Sequence, residues 1–135
     1  MRKIKIYCKN CYKPFSNVVS EIDEKSLIRI DGEELLPDNS IIKTTDLEIS
    51  LPENLDIFLS ANSELNIEDH SDSNRFQGCC GPGDFSKLNQ VCSNCKEEIA
   101  VLFADCWLYH FLVFDNTKII VKDFTDKKHI RRIKL

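Results

Sequence analysis

Two Cys-x-x-Cys pairs, Cys8-Lys9-Asn10-Cys11 and Cys92-Ser93-Asn94-Cys95, constrain this chain more than any other feature. Zinc takes four ligands at tetrahedral corners, with Zn–S about 2.3 Å, and one such turn supplies two thiolates about one coordination edge apart. A single pair leaves the ion half-ligated. Two pairs close one site, so Cys8, Cys11, Cys92 and Cys95 are the expected ligands and Zn2+ the expected cofactor. The 80 residues between the pairs (12–91) must then leave the metal and return to it. Each pair has Asn before its second cysteine, a residue that tolerates tight turns. Each is approached by a strand-like or apolar stretch, Ile4 to Tyr7 and Val91, and each has a lysine beside a cysteine (Lys9, Lys96) to offset thiolate charge. The redox alternative, a thioredoxin-type pair, requires one motif at a helix N-terminus within a βαβ unit. Two motifs and no βαβ pattern speak against it.

The chain holds seven cysteines, an odd number, so internal disulfides cannot pair them all. Met1-Arg2-Lys3 is basic, but Ile4-Lys5-Ile6-Tyr7 is no signal-peptide core. No apolar run approaches the roughly 20 residues that cross a bilayer. A cytoplasmic protein without a membrane partner is expected, and in a reducing cytosol clustered cysteines hold metal or do thiol chemistry.

Apolar periodicity points to a mainly β fold, with a β-rich α+β fold as competitor. Arg2 to Tyr7 alternates apolar and polar residues with a period of two. Ile99 to Phe103 and Tyr109 to Phe114 are aromatic and β-branched; a helix over 99–112 competes, but this composition favours strand. Asp115-Asn116-Thr117 is a turn signal before Lys118 to Phe124, so 109–124 reads as a hairpin. Short strands are expected at Ile41-Ile42, Leu47 to Leu51 and Leu55 to Leu59, with a turn at Asp31-Gly32. Ala61 to Asn74 reads as an exposed loop, and Lys127 to Leu135 as a basic tail or a final edge strand. One domain results: a zinc-ribbon-like core of two knuckles from 1–15 and 86–124, a long acidic β/loop insertion at 16–85, and a basic tail at 125–135. Net charge is +5 over residues 1–15, −11 over 16–75, −3 over 76–116 and +5 over 117–135.

Phe76-Gln77-Gly78-Cys79-Cys80-Gly81-Pro82-Gly83-Asp84-Phe85 is the second unusual segment. Gly81 to Asp84 fits a type II turn, and glycines on both sides of the cysteines let backbone amides approach something closely. Adjacent cysteines pair with each other only under strain. Three readings stand: buried thiols pinning the loop, a second metal site, or a reactive thiolate. The companions for the latter two are His70, Cys106 and His110. Cys106 and His110 share a face in a helix, but in an extended strand they lie about 13 Å apart, unless a turn falls at Trp107-Leu108. Asp105-Cys106-Trp107 reads as a junction between core and surface.

The string His70-Ser71-Asp72, Arg75, Gly78-Cys79-Cys80-Gly81, Asn89, Val91-Cys92 and Asp105-Cys106-Trp107 with His110, preceded by an N-terminal Cys-x-x-Cys, resembles a small family of uncharacterised bacterial proteins. The resemblance covers the first fifteen residues and 68–112. It implies a bacterial, metal-binding, cytoplasmic protein and brings no activity with it. Three functions then compete. The first is a zinc-stabilised module that binds another protein, its acidic middle suiting a basic partner. The second is a nucleic-acid-binding zinc ribbon, which requires the basic ends to meet in one face with aromatics. The third is a thiol- or metal-dependent enzyme centred on Cys79 and Cys80, with His70 or His110 as base.

Overall fold

The structure, a computed structural model, describes residues 1–135. Ten strands follow in chain order: β1 (Lys3–Cys8), β2 (Val19–Glu21), β3 (Ser40–Lys43), β4 (Leu55–Leu59), β5 (Ile67–Asp69), β6 (Gln90–Cys92), β7 (Glu98–Phe103), β8 (Phe111–Asp115), β9 (Ile119–Asp123) and β10 (Arg131–Ile133). The fold is mainly β, as the periodicity predicts. No helix forms over 99–112. Helical turns are confined to two 3-10 segments, Glu24–Ser26 and Ser73–Phe76, each capped by the aspartate before it. No helix is long and apolar enough to cross a membrane.

All ten strands join one sheet in the order β10-β9-β1-β2-β3-β4-β8-β7-β6-β5, antiparallel except for β2 against β3. In a flat sheet with strands about 4.8 Å apart, β1 and β6 would lie about 29 Å from each other. Yet the sulfurs of Cys8, on β1, and Cys92, on β6, belong to a group whose atoms all lie within 4.8 Å. The sheet is therefore curled until these regions meet. Asn66 closes the seam beside them: its backbone N–H donates to Phe15 O at 2.8 Å and its side chain to Pro14 O at 3.1 Å. The Lys118 ammonium reaches across to Glu97 at 2.8 Å.

Packing follows the period of two. Ile57 and Leu59 of β4, with Leu112 and Phe114 of β8, point into the curl and join Ile4, Ile6 and Val121 in the inner cluster. Phe58, Phe111 and Val113 face outward into a second cluster roofed by Leu35, Leu36 and Tyr109. Strands β4 and β8 are thus buried on both faces. Each fully buried Phe or Leu contributes about 1.5–3 kcal/mol, so the two-sided strands are the fold's firmest part.

Three expectations need correction. The turn at Asp115–Lys118 forms, but 109–124 is no hairpin: β8 pairs with β4 and β7, whereas β9 pairs with β1 and β10. Residues 116–118 instead cross between walls of the curl, where facing sheets sit about 10 Å apart and a short link suffices. Leu47 to Leu51 is no strand; Leu47, Ile49 and Leu51 lie as an irregular flap against the outer cluster. The Ala61–Asn74 loop contains β5, because Ile67 packs on the inner cluster while Glu68 and Asp69 stay exposed and guard the sheet edge. At the other edge, Arg131–Ile133 makes the final edge strand. The acidic segment 16–85 supplies β2 to β5, and β2, β3 and β4 sit between β1 and β8. Gly32 has φ +80°, the left-handed turn conformation expected of Asp31-Gly32.

Candidate metal centre

The two Cys-x-x-Cys turns repeat one backbone pattern. In the first, Cys8 N–H donates to Lys13 O and Tyr12 N–H to Cys8 O, both at 2.8 Å. In the second, Cys92 N–H donates to Glu97 O and Lys96 N–H to Cys92 O, both at 2.9 Å. The left-handed residue is the one after the second cysteine, Tyr12 (φ 64°) and Lys96 (φ 63°), rather than Asn10 or Asn94. The asparagine before Cys95 acts on the sulfurs instead, its side chain helping to hold the Cys11 thiol below its ordinary value.

Each turn presents its cysteines to the other. Cys8 Sγ lies 3.6 Å from Cys95 Sγ, and Cys11 Sγ lies 3.7 Å from Cys92 Sγ. All seven cysteines are free thiols. Cys8 and Cys92 are buried on the inner cluster, while Cys11 and Cys95 are half-buried at its rim. Burial pushes the Cys8 thiol up to about 12; the Cys11 and Asn10 amides oppose this, and the neighbouring sulfurs of Cys95 and Cys11 reinforce it. Burial raises Cys11 too, but the Asn94 side chain, the Lys13 amide and the sulfurs of Cys95 and Cys92 outweigh it and bring Cys11 down to about 6. Four sulfurs this close cannot all ionise without a cation among them, and amides aimed at sulfur favour thiolate. The group can hold a metal ion.

Cys80, Asp105 and Cys106 form a second group, with ligand atoms all within 4.8 Å of one another. Asp105 is buried, and its carboxylate ties two chain segments together. Its Oδ1 accepts from Cys80 N–H (3.1 Å) and Cys106 N–H (2.8 Å), and its Oδ2 from Cys79 N–H (3.1 Å). The Cys80 amide leads in holding the carboxyl below its ordinary range; desolvation opposes it, and the Cys106 and Cys79 amides assist. The glycines serve this closeness. A methyl group on Gly78 would overlap the Gly81 carbonyl oxygen, one on Gly81 the Ala104 carbonyl, and one on Gly83 would sit 2.5 Å from Asp105 Oδ2. Gly83 is not left-handed, so the expected type II turn is absent.

Cys79, Cys80 and Cys106 are exposed, which removes the reading of buried thiols pinning the loop. His70 and His110 join neither sulfur group. His70 Nδ1 accepts from Asp72 N–H at 2.9 Å, which puts the ring proton on Nε2, facing Glu98 at 2.6 Å. Glu98 also takes the Arg75 guanidinium at 2.7 Å, and Arg75 donates to Leu88 O. Both His70 nitrogens are thus occupied in a polar network leading into the Gly-Cys-Cys-Gly loop, and no thiol can use them. A turn does fall at Cys106-Trp107, yet His110 is held elsewhere, its backbone bridged to Glu34. Asp105-Cys106-Trp107 does run from core to surface, with Trp107 52% exposed. Sequence reasoning misses Asp105 as the amide clamp and Glu98 as partner of His70 and Arg75. The crowd of glycines signals a close approach but not its target, and nothing in the sequence singles out Glu98.

Beside His110, burial raises the Glu34 carboxyl to about 7, helped by Asp38 and opposed by the Ala61 and Leu36 amides. A folded pKa above the unfolded value means stability present below about pH 4.5 and lost as pH rises through 7. The unfolding free energy of the parent is expected to fall by about 1–3 kcal/mol more than that of Glu34→Gln between pH 5 and 8, read by urea titration. Parallel pH profiles for the two proteins would refute this.

No known family matches this chain, and no curated protein or solved structure does so either.

Proposed function

We propose that this chain is a zinc-stapled β module of the bacterial cytoplasm whose work is to bind another protein. The observation that carries the reading is the position of the four-sulfur group, at the closure of the curled sheet rather than in an open cleft. An ion there joins distant strands and leaves no coordination position for substrate, the mark of a structural site. Zinc suits it: four sulfurs at about 2.3 Å in a tetrahedron have edges of about 3.8 Å, close to the 3.6 and 3.7 Å separations. The two matching knuckles agree with a zinc-ribbon-like centre. Free thiols throughout agree with a reducing compartment. The clustering of His70, Arg75, Asn89 and Asp105 around one loop supports reading the family-like string as one unit. Metal analysis of the purified chain should return one zinc, abolished by Cys8→Ser.

A protein-binding surface is offered where adjoining loops expose Ile28 (37%), Ile30 (54%) and Trp107 (52%). Gly32 N–H donates to Leu108 O at 2.9 Å, which holds these loops together. Exposed apolar side chains grouped in this way mark interaction sites.

A specific observation favours a nucleic-acid strand as the second reading. The basic ends meet: Lys5 on β1, Lys122 on β9 and Arg132 on β10 face one another in register. None of them has a carboxylate within salt-bridge distance, and Lys122 and Lys5 lie 4.8 and 5.8 Å from the Tyr7 ring centre. Adjacent cations without counter-charge repel, and a phosphate backbone relieves them. Two variants separate the readings. Trp107→Ser is expected to abolish capture of a protein partner while Lys122→Glu leaves it intact. Salt-sensitive binding of single-stranded DNA that Lys122→Glu weakens about tenfold, with Trp107→Ser silent, would favour the second reading instead.

A further inference from the structure

We propose that Cys80 and Cys106 form a second metal site, separate from the four-sulfur group, that takes up a thiophilic ion of low coordination number, Cu(I), in exchange with solvent. The two thiols belong to segments 26 residues apart, yet their backbone amides converge on a single carboxylate oxygen, Asp105 Oδ1. That shared acceptor keeps their sulfurs within 4.8 Å of each other and of the carboxylate. The arrangement is built rather than incidental, because Gly78, Gly81 and Gly83 have no room for a side chain where the loop closes on Asp105 and Ala104. Gly83 N–H to Gln77 O (2.9 Å) and Ala104 N–H to Pro82 O (2.8 Å) lock it further. Sulfurs held in place before the ion arrives bind it without first ordering a loop.

The donor set selects the ion. Zinc would need two more ligands, and the only further thiol nearby is Cys79, which lies outside the group. His70 has both ring nitrogens engaged, His110 stands outside the group, and the Asp105 oxygens already accept three N–H bonds. Soft thiolates favour Cu(I), which two or three sulfurs satisfy, and Cys79 adjoins the site as a reserve donor. On binding, each thiol gives its proton to solvent and the ion bonds both sulfurs, with no change of oxidation state. Both cysteines are exposed, so the ion enters and leaves without unfolding.

The test titrates Cu(I), anaerobically and in reducing buffer, into the full chain as purified, against a chromophoric Cu(I) chelator, with zinc content measured before and after. One Cu(I) per chain should be withdrawn while zinc stays constant. Cys80→Ser and Cys106→Ser should each weaken uptake by at least ~100-fold with zinc content and thermal unfolding unchanged, and Cys79→Ser should retain the equivalent. Failure of the parent to take copper, uptake surviving in either the Cys80 or the Cys106 variant, or copper entering only as zinc leaves would each overturn the proposal. Zinc content reports separately on the four-sulfur staple, so loss of one site does not mimic loss of the other.

Discussion

Stripping the metal by exhaustive chelation, or replacing Cys8 with Ser, is expected to free β1, β9 and β10 for hydrogen exchange before the rest of the sheet opens. Apart from the side chains they place in the inner cluster, those three strands are held to the others in two ways. One is the pairing of β1 with β2, only Lys3 with Ser20 and Ile4 with Val19. The other is the seam, where the four sulfurs sit with Asn66 and the Lys118–Glu97 pair. Strands β4, β7 and β8 are instead paired along their length and buried on one or both faces. Structural zinc stabilises small finger peptides by about 10–16 kcal/mol, and they unfold without it. Here two apolar clusters support the chain as well, so the loss is graded. Amide protection in β1 and β9 should fall on the order of 1,000-fold, about 4 kcal/mol, with the β4–β8–β7 amides retaining most of theirs. Cys106→Ser, an exposed thiol outside the seam, should leave both regions as they were. Uniform loss across all ten strands would show that the curl does not depend locally on its staple. Unchanged protection would remove the structural role of the ion altogether.

The part of this architecture legible in the sequence is the part governed by local chemistry. Cys8, Cys11, Cys92 and Cys95 could be matched because a tetrahedral ion dictates ligand spacing within a turn, whatever the rest of the chain does. Burial alternation in β1 was readable for the same reason, since Ile4, Ile6 and Cys8 repeat with the strand's own period. Pairing was not readable. Asp115-Asn116-Thr117 makes its turn in either topology, and whether β8 meets β9 edge to edge or across the core depends on a curl that no local window contains. The Leu47–Leu51 flap misleads similarly, because its alternating apolar residues fit a strand but find no free sheet edge. At the second sulfur group the glycines announce close packing, while Asp105, more than 20 residues away, gives no sign of being its target. Tyr12 and Lys96 show how tertiary demands override preference: both are left-handed without being Gly or Asn, because the knuckle needs that conformation after its second cysteine.

Truncating Asn89 should carry a large stability cost for a polar substitution away from the metal ligands. The side chain is fully buried and extends the β6–β7 ladder beyond the end of β6 by acting as a piece of backbone. Its Oδ1 accepts from Leu102 N–H at 2.7 Å, and its Nδ2 donates to Leu102 O at 3.0 Å and to Arg75 O at 3.4 Å. Its own N–H and C=O bond Ala100 and His70. Asn89→Ala leaves an amide and a carbonyl of Leu102 unpaired in the interior, each costing about 1–3 kcal/mol, so a total of about 2–5 kcal/mol is expected by urea unfolding. Asn89→Asp keeps the acceptor but loses both donors and sets a charge against the Leu102 carbonyl, so it should cost more than alanine despite its matching shape. Releasing Arg75 O also loosens the segment that runs into Gly78, and faster alkylation of Cys80 should accompany the stability loss. If Asn89→Ala costs under about 1 kcal/mol, water has replaced the amide. The Gly-Cys-Cys-Gly loop must then be anchored by Asp105 and its own backbone bonds to Gln77 and Ala104, without Asn89.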